Sequence, residues 1–201
     1  AEEVRTGPMP EIEWKDSVEV KTGRSGYLQA IDTDGLLEVA EQEDLVLRLW
    51  FRPGDFAHAH QVLLQAYPEE RVTEEVCDEI RGVFAWGSDR TPTQNALFLV
   101  DQLVEIIVRA LSPGVNDPFT AISCMRWLER SLMSLAEREE PSSHRFDKGG
   151  ELRVIARATS FAGFCDHVFG QTRQYAAQDR NVTLHSLQVF ASLLAATRDE
   201  Q

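Results

Sequence analysis

Between residues 17 and 68 the apolar positions recur mainly every second residue. Val18 and Val20 alternate with polar neighbours over 17–22, and "SGYLQAI" (25–31) follows a short turn. In "LVLRLWF" (45–51), Leu45, Leu47, Leu49 and Phe51 fall on one face and Val46, Arg48 and Trp50 on the other. A period of two predicts half-buried strands. "RPGDF" (52–56) predicts a turn, because proline fixes one dihedral and glycine permits another. "QVLLQAY" (61–67) is the return strand, and "DGLLEVAEQE" (34–43) a short helix.

From Thr73 the period lengthens. Thr73, Glu74 and Glu75 open a helix to about residue 84, with acids at the positive end of its dipole. "TPTQ" (91–94) predicts a second start, with Thr91 as N-cap, Pro92 in the first turn and Gln94 closing a capping box. That helix runs to about 111. Asp101, Glu105 and Arg109 share one stripe with Gln94 and Ser112, and apolar residues cover most of the remainder, which predicts a central helix packed on most sides. A helix from Pro118 to about 138 follows, then a polar, flexible loop (137–150) and a strand or extended link (151–157). Two last helices are expected at about 160–178 and 182–197, the second capped by Asn181. The fold class is therefore α+β: a lead-in, disordered or extended, over 1–16, a small β-rich domain over 17–68, and a helical bundle over 72–198.

Composition narrows the function. The 201 residues carry a formal charge of −13, which disfavours nucleic acid and anionic headgroups. No apolar run reaches the roughly 18 residues of a membrane span, and no signal segment opens the chain, so a soluble piece without lipid insertion is expected. The start at Ala1 suggests a processed chain or a piece of a longer one. Cys77, Cys124 and Cys165 are odd in number and lie in apolar, helix-like stretches, as packed thiols of a reducing compartment do. The glycine-rich nucleotide loops and the G-x-S-x-G elbow are absent, so no cofactor is assigned and an enzyme is not favoured. His58 and His60, two apart in an extended segment, form a weak metal pair without a clear third ligand. Cys165 and His167 are two apart on a helix, pointing about 200° apart, one to the core and one to the surface.

The densest signal is "ALSPGVNDPFTA" (110–121). As a structural joint, Gly114 supplies a left-handed turn, Asp117 caps the next helix and Pro118 fits its first position. As a binding loop, Ser112, Gly114, Asn116, Asp117 and Thr120 would hold a small ligand or an ion, with free N–H groups at the helix start favouring an anion and the carboxylate favouring a hard cation. Asp101, Glu105 and Arg109 form a companion polar cluster: an i,i+4 ion pair, or buried ionisable groups with a function.

"RALSPGVNDPFTAI" (109–122), with "GYLQAID" (26–32), "RPGDF" and "DRTPTQ" (89–94) in the same order, resembles a bacterial family of predicted membrane proteins of unknown function, domain-of-unknown-function family 2254. The resemblance covers about 25–195. It implies the C-terminal region of a longer protein whose own transmembrane part is its partner, with this domain on the cytoplasmic side of the cell membrane. Where the family tends to glycine after RPGDF, this chain has His60. A fainter resemblance, of "SGYLQAI" and "RPGDFAHAHQVLLQAY" to biotinyl and lipoyl carrier modules, implies a barrel-sandwich-like β unit without the carrier lysine. The expected function is a regulatory or assembly domain of a channel- or transporter-like membrane protein, self-associating into a homo-oligomer, with a ligand or ion at the 112–120 loop. The alternatives are a membrane-anchored metal-dependent hydrolase using Asp101, Glu105 and Asp117, and a purely structural oligomerisation scaffold.

Overall fold

The computed structural model describes residues 11–198. Most of the expected lead-in lies outside the described residues, and its end, Trp14–Asp16, is a single 3-10 turn. The fold is α+β, with strands leading and helices following. In chain order the elements are β1 (Val18–Lys21), β2 (Gly26–Ile31), α1 (Thr33–Gln42), β3 (Val46–Leu49), β4 (Phe56–Ala57), β5 (Val62–Tyr67), α2 (Glu74–Gly82) and β6 (Phe84–Gly87). Then come α3 (Phe98–Ala110), α4 (Pro118–Ala136), β7 (His144–Phe146), β8 (Leu152–Ile155), α5 (Phe161–Ala176) and α6 (Arg180–Arg198).

The chain forms two units, and their boundary is not the one at 68–72. The first holds residues 11–95 together with Ser142–Ala158; the second holds Ala96–Pro141 and residues 159–198. In the first unit, a five-stranded sheet in the order β1-β5-β3-β8-β7 and a three-stranded sheet in the order β4-β2-β6 share one apolar core with α1 and α2. β3 and β5 pair antiparallel, with Leu47 opposite Ala66 and Leu49 opposite Leu64. The period of two holds: Leu45, Leu47 and Leu49 are buried, while Trp50 is exposed. The turn at 52–56 closes as expected, Gly54 adopting φ +101° and Asp55 Oδ2 accepting the Arg52 N–H at 3.1 Å. His60 needs no left-handed backbone.

Three local readings are corrected. The 137–150 stretch is not all loop, because β7 forms within it, antiparallel to β8, while β8 runs parallel to β3. Of the strand and the link expected at 151–157, the strand forms, as β8 in the sheet, and Arg153 locks it there. Its guanidinium reaches Asp44 Oδ1 at 2.6 Å and Asp147 Oδ2 at 2.7 Å. Asp44 holds the left-handed position that ends α1, with Leu45 N–H returning to the Ala40 carbonyl. The second correction concerns "TPTQ", which starts no helix. Gln94 instead donates its amide to Ile31 O (3.0 Å) and accepts Ile31 N–H (2.9 Å). A primary amide offers the same donor and acceptor as a peptide, so it satisfies a strand residue that would otherwise lack a partner. α3 therefore begins only at Phe98, without a side-chain cap. Third, the cap of α6 is Asp179, which accepts the N–H groups of Asn181 and Val182; Asn181 is not the cap.

In the second unit, Val104, Ile107, Leu128, Leu132 and Val182 are the most deeply buried side chains. α4 packs against α3, α5 and α6. α3 is not enclosed on most sides: Leu99 and Ile106 are exposed. Among the described residues, no helix is long and apolar enough to cross a membrane. All three thiols are free, Cys77 and Cys124 being buried and Cys165 half-buried. Burial pushes each of them above the ordinary thiol range.

Candidate functional site

The polar stripe expected on α3 is one wall of a cleft. Asp101, Glu105 and Arg109 are four residues apart and so stand above one another on one helix face. The facing wall is α5, started by Ser160, whose hydroxyl accepts the Gly163 N–H at 3.1 Å. On α5, His167, Gln171, Gln174 and Tyr175 repeat at helical spacing. Between Glu105, Arg109 and Ser112 on one side and Gln171, Gln174 and Tyr175 on the other lies an open cleft of about 810 Å³. Val104 and Val108 add apolar lining, and Gly170 puts no side chain into it.

One turn along each helix from Glu105 and Gln171, Asp101 and His167 meet. Asp101 is buried, and the His167 ring is hydrogen-bonded through Nε2 to its Oδ1. The Gln171 amide lies 3.2 Å from the same ring nitrogen. His167 is therefore not simply a surface residue; its partner keeps a buried carboxylate satisfied. Arg109 enters none of the ion pairs among the described residues, although it is exposed on the cleft wall. It is a cation open to an external anion.

The 112–120 loop is built differently. Asn116, not Gly114, takes the left-handed conformation, at φ +48°. Val115 and Asn116 donate their N–H groups to Ser112 O, and Asp117 donates to Ala110 O. Asp117 accepts from Thr120 N–H at 3.1 Å and from its hydroxyl at 2.6 Å. These bonds, the hydroxyl foremost, hold the Asp117 carboxyl below the usual carboxylate range. Ser112 donates its own hydroxyl to Arg109 O at 2.7 Å. The side chains of Ser112, Asp117 and Thr120 are thus bonded within the joint itself: Asp117 caps α4, with Pro118 in the first turn. Of the loop residues, Ser112 alone lines the cleft.

The other sequence candidates stay apart. Among the described residues, no group of three or more His, Cys, Asp or Glu comes together as a metal site. Asp101, Glu105 and Asp117 do not converge, and His58 and His60 gain no third ligand. His58 instead packs its ring edge-on against Phe56, with centroids 5.2 Å apart. The residues that the sequence reading missed are His167, Gln171, Gln174 and Tyr175. Their polar spacing on one face of α5 was the available signal, the counterpart of the stripe on α3.

The chain belongs to a family of predicted membrane proteins: residues 1–192 match the family described as "Predicted membrane protein (DUF2254)". An uncharacterized protein of Mycobacterium bovis, Mb1321c, and one of Mycobacterium tuberculosis, Rv1290c, are each 31% identical to it over 196 residues. The matched region is 95% of this chain and 37% of either relative, so the chain spans little more than a third of their length. No solved structure matches it.

Proposed function

We propose that this chain is a regulatory domain of a bacterial membrane protein, of channel or transporter type, and that its helical unit senses a small organic carboxylate in the α3–α5 cleft. The observation that carries this reading is the cleft itself, with Arg109 on its wall and outside every ion pair among the described residues. A guanidinium presents paired donors that match a planar carboxylate. Val104 and Val108 suit an apolar ligand body, and the amides of Gln171 and Gln174 with the Tyr175 phenol add hydrogen-bonding groups that select among carboxylates. Placement on the reducing, cytoplasmic side of the membrane is supported by three free thiols. The reading moves the ligand site from the 112–120 loop to the cleft, since the Ser112, Asp117 and Thr120 side chains are already bonded within the joint.

The test is thermal unfolding with acetate, benzoate and inorganic phosphate as probes, at fixed protein concentration. A ligand at about 100 times its dissociation constant adds about 2.7 kcal/mol, which corresponds to roughly 5–10 °C for a chain of this size. The expected result is a rise with benzoate, a smaller one with acetate, and neither in Arg109→Gln. A flat response to every carboxylate at millimolar concentration, or one that Arg109→Gln leaves intact, overturns the reading.

A further inference from the structure

α6 has two apolar faces. Val182, Val189 and Leu193 are buried on one. On the other, Leu184, Leu187 and Leu194 are 51%, 58% and 57% exposed, with Ala191 exposed between them. The spacing from 184 to 187, 191 and 194 is three, four and three residues, the a/d seam of a helix that packs against another helix. This stretch, 180–198, contains no acidic residue in a chain of formal charge −13. A second copy could approach it without like charges meeting along the seam.

The order of residues selects the partner. The seam is centred level with residue 189, whose own side chain is buried on the opposite face, with Leu184 and Leu194 five residues to either side and Leu187 and Ala191 two. The spacing of the seam, three, four and three, is symmetric about this point, with a leucine at each end and one large residue, Leu187, placed symmetrically to one small one, Ala191. Turned about a two-fold axis, it meets itself: Leu184 faces Leu194 of the second copy, and Leu187 enters the space left by Ala191. Antiparallel helix pairs set a against d in just this manner, and an isologous interface requires such self-complementarity. We infer that α6 is a homodimerisation surface, pairing antiparallel with α6 of a second copy about an axis level with residue 189.

The area sets the strength. Nineteen residues make a helix about 28 Å long, and one face about 10 Å wide buries on the order of 300 Å² per copy. A stable complex uses about 800 Å² per partner. The pair is therefore weak and concentration-dependent for the free chain, and is favoured where copies are held together in a membrane.

Sedimentation velocity on the whole chain tests this across micromolar to millimolar concentration. The expected result is a reversible monomer–dimer equilibrium that Leu187→Glu abolishes while its circular dichroism stays that of the wild type. Orientation is read by oxidative cross-linking, with wild type as the background for native thiols. Mixing Leu184→Cys with Leu194→Cys is expected to give a disulfide-linked heterodimer, and neither variant alone a linked dimer. A monomer at all concentrations overturns the inference. So does efficient cross-linking of either variant alone, which signals parallel pairing. Flotation of a monomeric wild type with neutral phosphatidylcholine vesicles, lost in Leu187→Glu, assigns the face to lipid and likewise overturns it. These readouts do not involve Arg109, so the carboxylate reading stands or falls separately.

Discussion

Replacing Arg153 by methionine tests how the β7–β8 hairpin, inserted in sequence between α4 and α5, is held in the sheet of the first unit. Methionine keeps the length of the apolar stem and deletes the guanidinium that bridges Asp44 and Asp147. The two carboxylates differ. The side chain of Asp44 is 61% exposed and keeps Arg71, so its share of the loss is a few tenths of a kcal/mol at most. The side chain of Asp147 is 5% exposed. Stranding a buried charge costs about 3–5 kcal/mol. Asp147 still accepts the Glu151 N–H at 2.9 Å, which retains part of that, so the expected loss is about 2–4 kcal/mol. Chemical denaturation followed by the near-ultraviolet signal of Trp50 and Trp86 reports on this unit. The pH dependence gives a second check. In the wild type, burial pushes Asp147 up, but the Arg153 hydrogen bond and charge and the Glu151 N–H outweigh it, leaving its carboxyl below the usual range. Its stabilisation is thus present above the ordinary carboxylate value of 3.8 and fades as pH falls through the folded value. In Arg153→Met the guanidinium contributions are lost and only the Glu151 and Gly149 N–H groups oppose burial, so the carboxyl lies higher than in the wild type and the variant should recover relative to wild type as pH falls. Adding Asp147→Asn to Arg153→Met should restore most of the loss. A cost below about 1 kcal/mol, with no gain from the second substitution, would refute the buried-bridge argument.

Gln94→Leu removes both bonds to Ile31 and is expected to cost about 1–3 kcal/mol by denaturant titration; an unchanged midpoint would show that water replaces the amide. Asp117→Ala should lower the thermal midpoint modestly through the lost cap while leaving any benzoate response intact; loss of that response would return the ligand to the 112–120 loop. At pH 8, Cys77, Cys124 and Cys165 should react with a thiol-specific disulfide reagent far more slowly than in denaturant, Cys165 first, because burial holds all three thiols above their ordinary range. Rapid labelling of Cys124 in the native chain would contradict the packing of α4.

Periodicity made much of this fold legible. The alternation of Leu45, Leu47 and Leu49 places β3 correctly, and Thr73 and Asp117 cap the helices they were expected to cap. What failed were signals that serve two masters. "TPTQ" has the chemistry of a helix start, but Gln94 finds better partners 63 residues away, at Ile31, a competition that local spacing cannot reveal. Gly114 looks like the left-handed residue, yet Asn116 takes that conformation, since asparagine tolerates it and leaves the glycine unconstrained. β8 falls within the 151–157 stretch expected as a strand or extended link, but its partner β3 lies about a hundred residues away, so the sequence could not say which sheet it joins. The cleft was half legible. Its α3 wall stood out because Asp101, Glu105 and Arg109 interrupt an apolar helix. The α5 wall did not, because His167 and Gln171 sit among residues of mixed polarity.

The helix that walls the cleft, α5, also touches α6 through an aromatic pair. Phe169 adjoins Gly170 and Gln171 of the cleft wall, and its ring packs against Phe190 at a centroid distance of 4.3 Å. Phe190 in turn precedes Ala191, the small residue of the seam on α6. On the proposed reading, a ligand that shifts α5 along α3 is expected to move or repack this aromatic pair, which stands beside the proposed pairing face. Coupling between two binding events is reciprocal, so whatever factor a carboxylate contributes to pairing, pairing contributes to carboxylate affinity. On the proposed reading, a domain held near its copies answers a small anion with a change in association. The aromatic contact is the carrier we propose for that coupling, because two packed rings have discrete arrangements where a flexible polar surface would absorb the shift.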